Sequence, residues 1–223
     1  TYSIKNKKAD VLIFDIIQNK LKTSFKLKIK NKIIHSSNYK FTINAIGSHN
    51  ILNATASIVA AKLNGIKNKD INNALINYVG VKRRFSFIGK KNKSFVYDDY
   101  AHHPTEIAAT LSAAKSLKNK VIVVFQPHRY TRTKILIREF IKVLSKVDYL
   151  FLLETYSAGE KIIKGATSKD IYSKILKKNK NTTYLKNTGD LNKLMKPHTM
   201  KQNTIVFMGA GSVSSIAKKY LNN

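Results

Sequence analysis

Three short segments concentrate the residue types that do chemistry. The first is Asp98-Asp99-Tyr100-Ala101-His102-His103-Pro104-Thr105-Glu106. No Lys or Arg stands between Ser94 and Ala114, so Asp98, Asp99 and Glu106 make an acidic island in a chain of formal charge +29. Carboxylates and imidazoles in such density suit proton handling and the holding of polar substrates. Glu106 also fits the first turn of a helix, where a carboxylate meets the positive end of the dipole. A metal ion held by both histidines is the alternative, and adjacent histidines on one loop are poorly arranged for it. The expected metal ligand set is none.

The second segment is Gln126-Pro127-His128-Arg129-Tyr130-Thr131-Arg132-Thr133. It holds two of the chain's five arginines at i, i+3, beside a histidine. At the N-terminal edge of a helix, guanidinium forks and free backbone N–H groups can hold a carboxylate or a phosphate. A helix cap with two solvated arginines is the alternative. Lysine would serve on such a surface here, so the use of Arg points to a need for the planar fork. The third segment, Gly47-Ser48-His49-Asn50-Ile51-Leu52-Asn53, puts Asn50 and Asn53 on one helical face. Their paired donor–acceptor amides suit an adenine edge, although Ser48 or Asn50 could simply cap the helix. Two further glycine strings are weaker. Gly209-Ala210-Gly211-Ser212-Val213-Ser214 has Ser214 where a dinucleotide fingerprint has its third glycine, and reads as a tight strand-to-helix turn. Gly89-Lys90 is followed by lysine, not Ser or Thr, and fails as a phosphate loop.

The elements that must carry these residues change character along the chain. Residues 9–44 read as a β-meander: from Leu21 to Lys30 apolar residues and lysines alternate, one face on a core and one in water. Turns are expected at Gln18-Asn19-Lys20 and Asn31-Lys32. A helix follows whose apolar stripe is Leu52, Ala56, Val59, Ala60 and Leu63, ended by Gly65. A shorter one starts near Asn68, with Ile71, Ala74 and Leu75 inward, and stops at Gly80. From residue 82 strands and helices alternate. Strands are expected at 94–98, 121–125, 149–153, 182–185 and 204–208, and helices at 105–117, 133–144, 169–178, 191–196 and 213–221. Strands 121–125 and 149–153 are apolar on both faces, as a sheet covered on both sides requires. The fold class is therefore α/β: a Rossmann-like, doubly wound, mostly parallel sheet, preceded by the meander and its helices. Ligands in such sheets bind at the carboxyl ends of strands. The loops after strands 94–98 and 121–125, taken as neighbours, are expected to converge on one anionic pocket.

Length and composition limit the function classes. A chain of 223 residues, 43% hydrophobic, can bury a core and is not disordered as a whole. No run of residues has the length and apolarity of a membrane span, and nothing at the start reads as a secretory signal. There is no cysteine, so thiolate nucleophiles and disulfides are excluded. A cytoplasmic setting is expected. The charge suggests nucleic acid at first sight. Yet the cations are 36 scattered lysines and only Arg83, Arg84, Arg129, Arg132 and Arg138. Nucleic-acid readers concentrate arginine with aromatics on one surface, so a basic nucleic-acid-binding protein is kept as the competing class.

Six strings, in order, resemble the Mur ligases of bacterial cell-wall synthesis. They are Gly47-Ser48-His49-Asn50, Arg83-Arg84-Phe85, the Asp98–Glu106 segment, the Gln126–Thr133 segment, Tyr156-Ser157-Ala158-Gly159-Glu160 and Gly209-Ala210-Gly211. The resemblance is greatest to members that join L-alanine to UDP-N-acetylmuramate; members that recycle murein tripeptide are the nearest alternative. It implies three domains in the whole enzyme, of which residues 1–81 would be the rear part of the central ATP-binding domain and 82–223 the C-terminal Rossmann-like domain. The family's Gly-Lys-Thr phosphate loop and its magnesium-holding residues would then lie upstream of Thr1, and this chain alone is expected to be inactive, or to be an inert truncated product. The implied reaction uses ATP and Mg2+ to phosphorylate the carboxylate of UDP-N-acetylmuramate; the amino group of L-alanine attacks the acyl phosphate, with domain closure preceding turnover. By the same resemblance His49, Asn50 and Asn53 would contact adenine, and Arg84 and Asp99 the ribose. Tyr100, His102, His128, Arg129 and Arg132 would surround the amino acid and acyl phosphate, with His128, Arg129 and Arg132 catalytic.

Overall fold

The computed structural model describes residues 1–19, 22–30, 38–78 and 81–222. It divides into two compact units, residues 1–80 and 81–223. In the first, β1 (Tyr2–Ser3), β2 (Val11–Asn19), β3 (Lys22–Ile29) and β4 (Asn38–Ile43) form one sheet in that order. β1 is parallel to β2, and the other pairs are antiparallel. Alternation decides the faces. Val11, Ile13, Phe25, Leu27, Ile29, Phe41 and Ile43 are buried, while Lys28 and Lys30 are exposed. The expected turns at Lys20 and at Asn31-Lys32 lie outside the described residues.

α1 (Ser48–Leu63) and α2 (Asn68–Asn77) cover that inner face. Here the sequence reading needs correction. The buried residues of α1 are Ile51, Ala54, Thr55 and Ile58, not the stripe through Leu52 and Leu63, and Leu63 is 53% exposed. The helix is apolar nearly all round, so two adjacent stripes compete and periodicity alone cannot choose between them. α2 buries only Ile71, and it ends at Asn77.

The second unit is built on a six-stranded sheet of order β5-β6-β10-β7-β8-β9. Its strands are β5 (Ser86–Lys91), β6 (Ser94–Asp99), β7 (Val121–Phe125), β8 (Tyr149–Leu153), β9 (Thr182–Leu185) and β10 (Thr204–Met208). All neighbours are parallel except β5, which pairs antiparallel with β6. β5 is absent from the sequence reading: its lysines and Gly89 give no strand pattern, because an edge strand meets water. Helices α3 (Pro104–Lys115), α4 (Tyr130–Leu144), α5 (Ser168–Ile175), α6 (Leu191–Thr199) and α7 (Val213–Asn222) complete the unit. Leu191 and Met195 of α6, with Val213, Ala217 and Tyr220 of α7, pack on Ile122, Val124, Ile205 and Phe207. Phe125, pointing to the other face, lies 5.7 Å from Phe140 of α4. Both faces are covered, so the central strands are buried throughout.

The chain runs outward through β7, β8 and β9, then returns to insert β10 between β6 and β7. The two candidate loops therefore leave strands that flank β10, not neighbouring strands. Register keeps them level, since Met208 stands opposite both Asp99 and Phe125. This change of direction is the switch point at which doubly wound sheets bind ligands.

Candidate functional site

The end of β10 decides whether loops on either side can meet. Gly209 donates its N–H to the Asp99 carbonyl at 3.1 Å, and Gln126 donates to the Met208 carbonyl at 3.0 Å. Gly209 has φ +148°, and a Cβ there would stand 2.7 Å from the Gln126 carbonyl oxygen. A Cβ on Gly211 would stand 2.6 Å from Cγ of Tyr156. The two missing side chains clear the space above β10. Strands two apart are separated by roughly 9–10 Å, yet the rings of His102 and His128 lie 6.0 Å apart between centroids.

Asp98 and Asp99 are both 4% exposed, and they anchor the first loop. Asp99 accepts from Ala101 N–H (2.7 Å), Phe85 N–H (2.8 Å) and the Thr110 hydroxyl (3.0 Å). Burial raises its pKa, and those three donors and the charge of Arg84 oppose the rise. The carboxylate is thus occupied in tying the loop to Phe85, just before β5, and to α3. Asp98 accepts from the Ser214 hydroxyl at 2.6 Å and faces Arg83 Nε at 3.6 Å. Arg83 donates through Nη2 to the Gly209 carbonyl and lies 4.7 Å over the ring of Tyr100. Arg83 is a residue that sequence reasoning left without a role; the only signal was its place in the Arg83-Arg84-Phe85 string. Arg84 itself is exposed.

Tyr100, 37% exposed, meets the ring of His102 edge-on at 5.1 Å. His102 Nδ1 is 2.9 Å from the Tyr100 carbonyl and 3.4 Å from a carboxylate oxygen of Glu106. Glu106 also accepts from the N–H groups of His102 and His103, closing a box at the start of α3 in which the His103 ring accepts from Thr105 N–H. His103 is accordingly a helix cap. Burial pushes the Glu106 pKa up, but the two backbone donors and the charges of His102 and Arg84 leave it lowered.

The second loop begins at His128, whose ring stacks on Tyr156 at 5.4 Å and 12°. Arg129 N–H donates to the Tyr156 carbonyl and Tyr156 N–H to the Pro127 carbonyl, both at 2.9 Å. Arg129 takes φ +71°, outside the range comfortable for a side chain, and this starts α4 at Tyr130, three residues earlier than the apolar pattern suggested. Arg132, one turn on, directs Nη1 to His128 Nδ1 at 3.2 Å and to the His128 carbonyl at 3.3 Å. Thr131 donates its N–H and hydroxyl to Glu160, lowering that carboxyl's pKa and capping α4 from outside. Arg129 is half exposed, its Nη1 4.0 Å from Glu160. The His128 pKa is lowered first by burial, then by the charges of Arg132, His102 and Arg129, with Glu160 opposing.

The structure therefore brings Tyr100, His102, His128 and Arg132 together at the carboxyl edge of the sheet, with Arg129 on the rim. Tyr156 and Glu160 join them; only the string Tyr156–Glu160 signalled these in the sequence. His49, Asn50 and Asn53 belong to the other unit, on the first turns of α1. Asn50 Nδ2 donates to the Ile46 carbonyl at 2.8 Å, which leaves its Oδ1 as an acceptor, and Asn53 is exposed. Among the described residues no group of three or more His, Asp or Glu is placed to hold a metal ion.

A family profile described as "Mur ligase, glutamate ligase domain" matches residues 83–211. The chain belongs to the Mur ligase family. Within it, the chain is 38% identical over 199 residues to the UDP-N-acetylmuramate–L-alanine ligase of Carboxydothermus hydrogenoformans, covering 86% of this chain and 43% of that protein. It is 37% identical over 227 residues to the enzyme of the same name from Rickettsia typhi, covering 98% and 46%. The crystal structure of a UDP-N-acetylmuramate–alanine ligase from Thermotoga maritima superimposes with a TM-score of 0.79 at 25% identity, over 97% of this chain and 46% of that one. The chain thus spans about half the length of the curated family relatives it matches. No described helix is long and apolar enough to cross a membrane.

Proposed function

We propose that this chain supplies the acceptor-binding half of an ATP-dependent ligase that joins L-alanine to UDP-N-acetylmuramate through an acyl phosphate. One observation carries the reading. Two loops from strands on either side of β10 place Tyr100, His102, His128 and Arg132 around one spot, with Arg129 at its rim. A small zwitterion and a phosphoryl group need guanidinium forks for their anionic ends and uncharged imidazoles for the amine. The names of the relatives support this choice of substrates.

Arg129 and Arg132 would stabilise the charge that builds on the carbonyl and phosphoryl oxygens, and His128 would hold the amino acid beside them. Within the first unit Asn50 and Asn53 offer donors and acceptors matching an adenine edge, with His49 beside them. Asp99 would act by holding the Ala101 and Phe85 N–H groups, and so the loop, rather than by binding the sugar directly. ATP would supply the phosphoryl group that activates the acid. Among the described residues no group of three or more His, Asp or Glu is placed to hold a magnesium ion.

The test measures phosphate release that depends on both UDP-N-acetylmuramate and L-alanine. It compares the chain alone with the chain joined to the preceding half of the Carboxydothermus hydrogenoformans ligase. The sequence holds no Gly-Lys-Ser/Thr phosphate loop, so activity is expected from the joined protein only. Arg132→Ala and Arg129→Ala should lower it by about 10²-fold or more. Alanine-independent phosphate release unaffected by either substitution would overturn the reading.

A further inference from the structure

The two imidazoles are not chemically equivalent, and their neighbours dictate the difference. A guanidinium offers donors only. Arg132 Nη1 lies 3.2 Å from His128 Nδ1, so that nitrogen must accept, and the ring's proton sits on Nε2. A carbonyl oxygen only accepts. The Tyr100 carbonyl lies 2.9 Å from His102 Nδ1, so that nitrogen must carry a proton, and in the neutral ring Nε2 keeps its lone pair. The Glu106 carboxylate at 3.4 Å enforces the same choice.

We infer that His102 and His128 are held in opposite tautomers, His102 presenting an acceptor nitrogen to the incoming ammonium and His128 presenting an N–H donor to the carboxylate of the same amino acid. This deepens the ligase reading and rests on it for the identity of the ligand. His102 Nε2 takes one proton from the ammonium, and the resulting imidazolium, protonated on both nitrogens, pairs with Glu106. The amine's freed lone pair forms the C–N bond to the acyl carbon. The C–O bond to phosphate breaks, its electrons leave with the phosphate, and the second nitrogen proton goes to that phosphate, giving hydrogen phosphate. Glu106 is a positioning residue in this scheme, because it acts through His102. His128 is surrounded by Arg132 of α4 and Arg129 just before it, His102 across the site and Glu160 from the loop after β8. Burial first, and then that mostly cationic setting, lowers its pKa and favours the neutral ring.

Imidazole nitrogen NMR on the 15N-labelled 223-residue chain near neutral pH reads the tautomers directly, with His102→Gln and His128→Gln used only for assignment. The expected spectrum shows His102 protonated at Nδ1 and His128 protonated at Nε2. Glu106→Gln should leave the remaining spectrum intact but convert part of His102 to the other tautomer. Either ring in the opposite form in the unsubstituted chain overturns the inference, whatever ligands bind. Titration with L-alanine should then move the Nε2 signals of both rings, whereas propionate, lacking the ammonium, should move only His128. Correct tautomers with no response to L-alanine would instead overturn the assigned ligand, leaving the tautomer pair as a property of the fold.

Discussion

Arg129 holds its backbone at φ +71° just before α4, where a residue with a Cβ is strained by about 1–3 kcal/mol. The Arg129 N–H bond to Tyr156 and the Thr133 N–H and hydroxyl bonds to the Arg129 carbonyl keep it there. Such strain persists where the side chain's position matters more than the fold's stability. Replacing the residue by glycine relieves the backbone, while replacing it by alanine does not, and both remove the guanidinium. Arg129→Gly should therefore be more stable than Arg129→Ala by about 1 kcal/mol, readable as a higher midpoint in urea, with both equally poor in L-alanine-dependent turnover of the joined protein. Equal stabilities would mean the conformation carries no strain. Asp99 shows the limits of reading single residues. Its carboxylate looks available in sequence, and only coordinates reveal three protein donors already on it.

Elements set where those residues can go, and β10 is the decisive one. Gly211→Ala places a methyl 2.6 Å from Tyr156 Cγ and 2.7 Å from Gln126 Oε1, so the β8 loop must shift. The expected cost is about 1–3 kcal/mol, and Tyr156→Ala should cancel part of it in a double-mutant cycle. Additive effects would show that the glycine serves something other than this contact. α6 supplies a pH test away from the site. His198 packs 4.2 Å from the ring of Tyr149 and 5.7 Å from Phe151, and burial lowers its pKa below the ordinary 6.5. The unfolded chain then binds more protons than the folded one around that value. Stability is full above it and is lost as pH falls, with His128 adding the same sign. His198→Phe should flatten the fall in melting temperature between about pH 7.5 and pH 5.5; an unchanged slope would exclude His198 as a source. Most of this architecture was legible in the sequence, because buried strands such as Val121–Phe125 are continuously apolar and the helices between them are periodic. What was not legible has physical causes. The edge strand β5 faces water, α1 is apolar on adjacent faces, and the insertion of β10 between β6 and β7 is a long-range pairing that no local pattern encodes.

On the scale of the whole molecule the dominant electrostatic fact is repulsion. The formal charge is +29, and the described residues form five ion pairs, one of them involving the N-terminus and one a histidine. Lysines even face one another across strands: Lys26 stands directly opposite Lys40, relieved by Asp15 at 2.9 Å from Lys26. Like charges in that register destabilise a sheet, and a net charge far from zero works against the compact state. Exposed ion pairs contribute little each, typically below about 1 kcal/mol. Screening should therefore remove more repulsion than attraction. Raising NaCl from about 0.05 M to about 0.5 M shortens the Debye length from about 14 Å to about 4 Å and should raise the melting temperature of the chain. Chloride salts are the right probe, since sulfate would also strengthen apolar burial and blur the cause. A melting temperature that falls with salt would mean that the few acidic groups, among them Asp98, Asp99, Glu106 and Glu160, stabilise the fold by more than the lysines oppose it. The acidic island would then be a structural keystone before it is anything else.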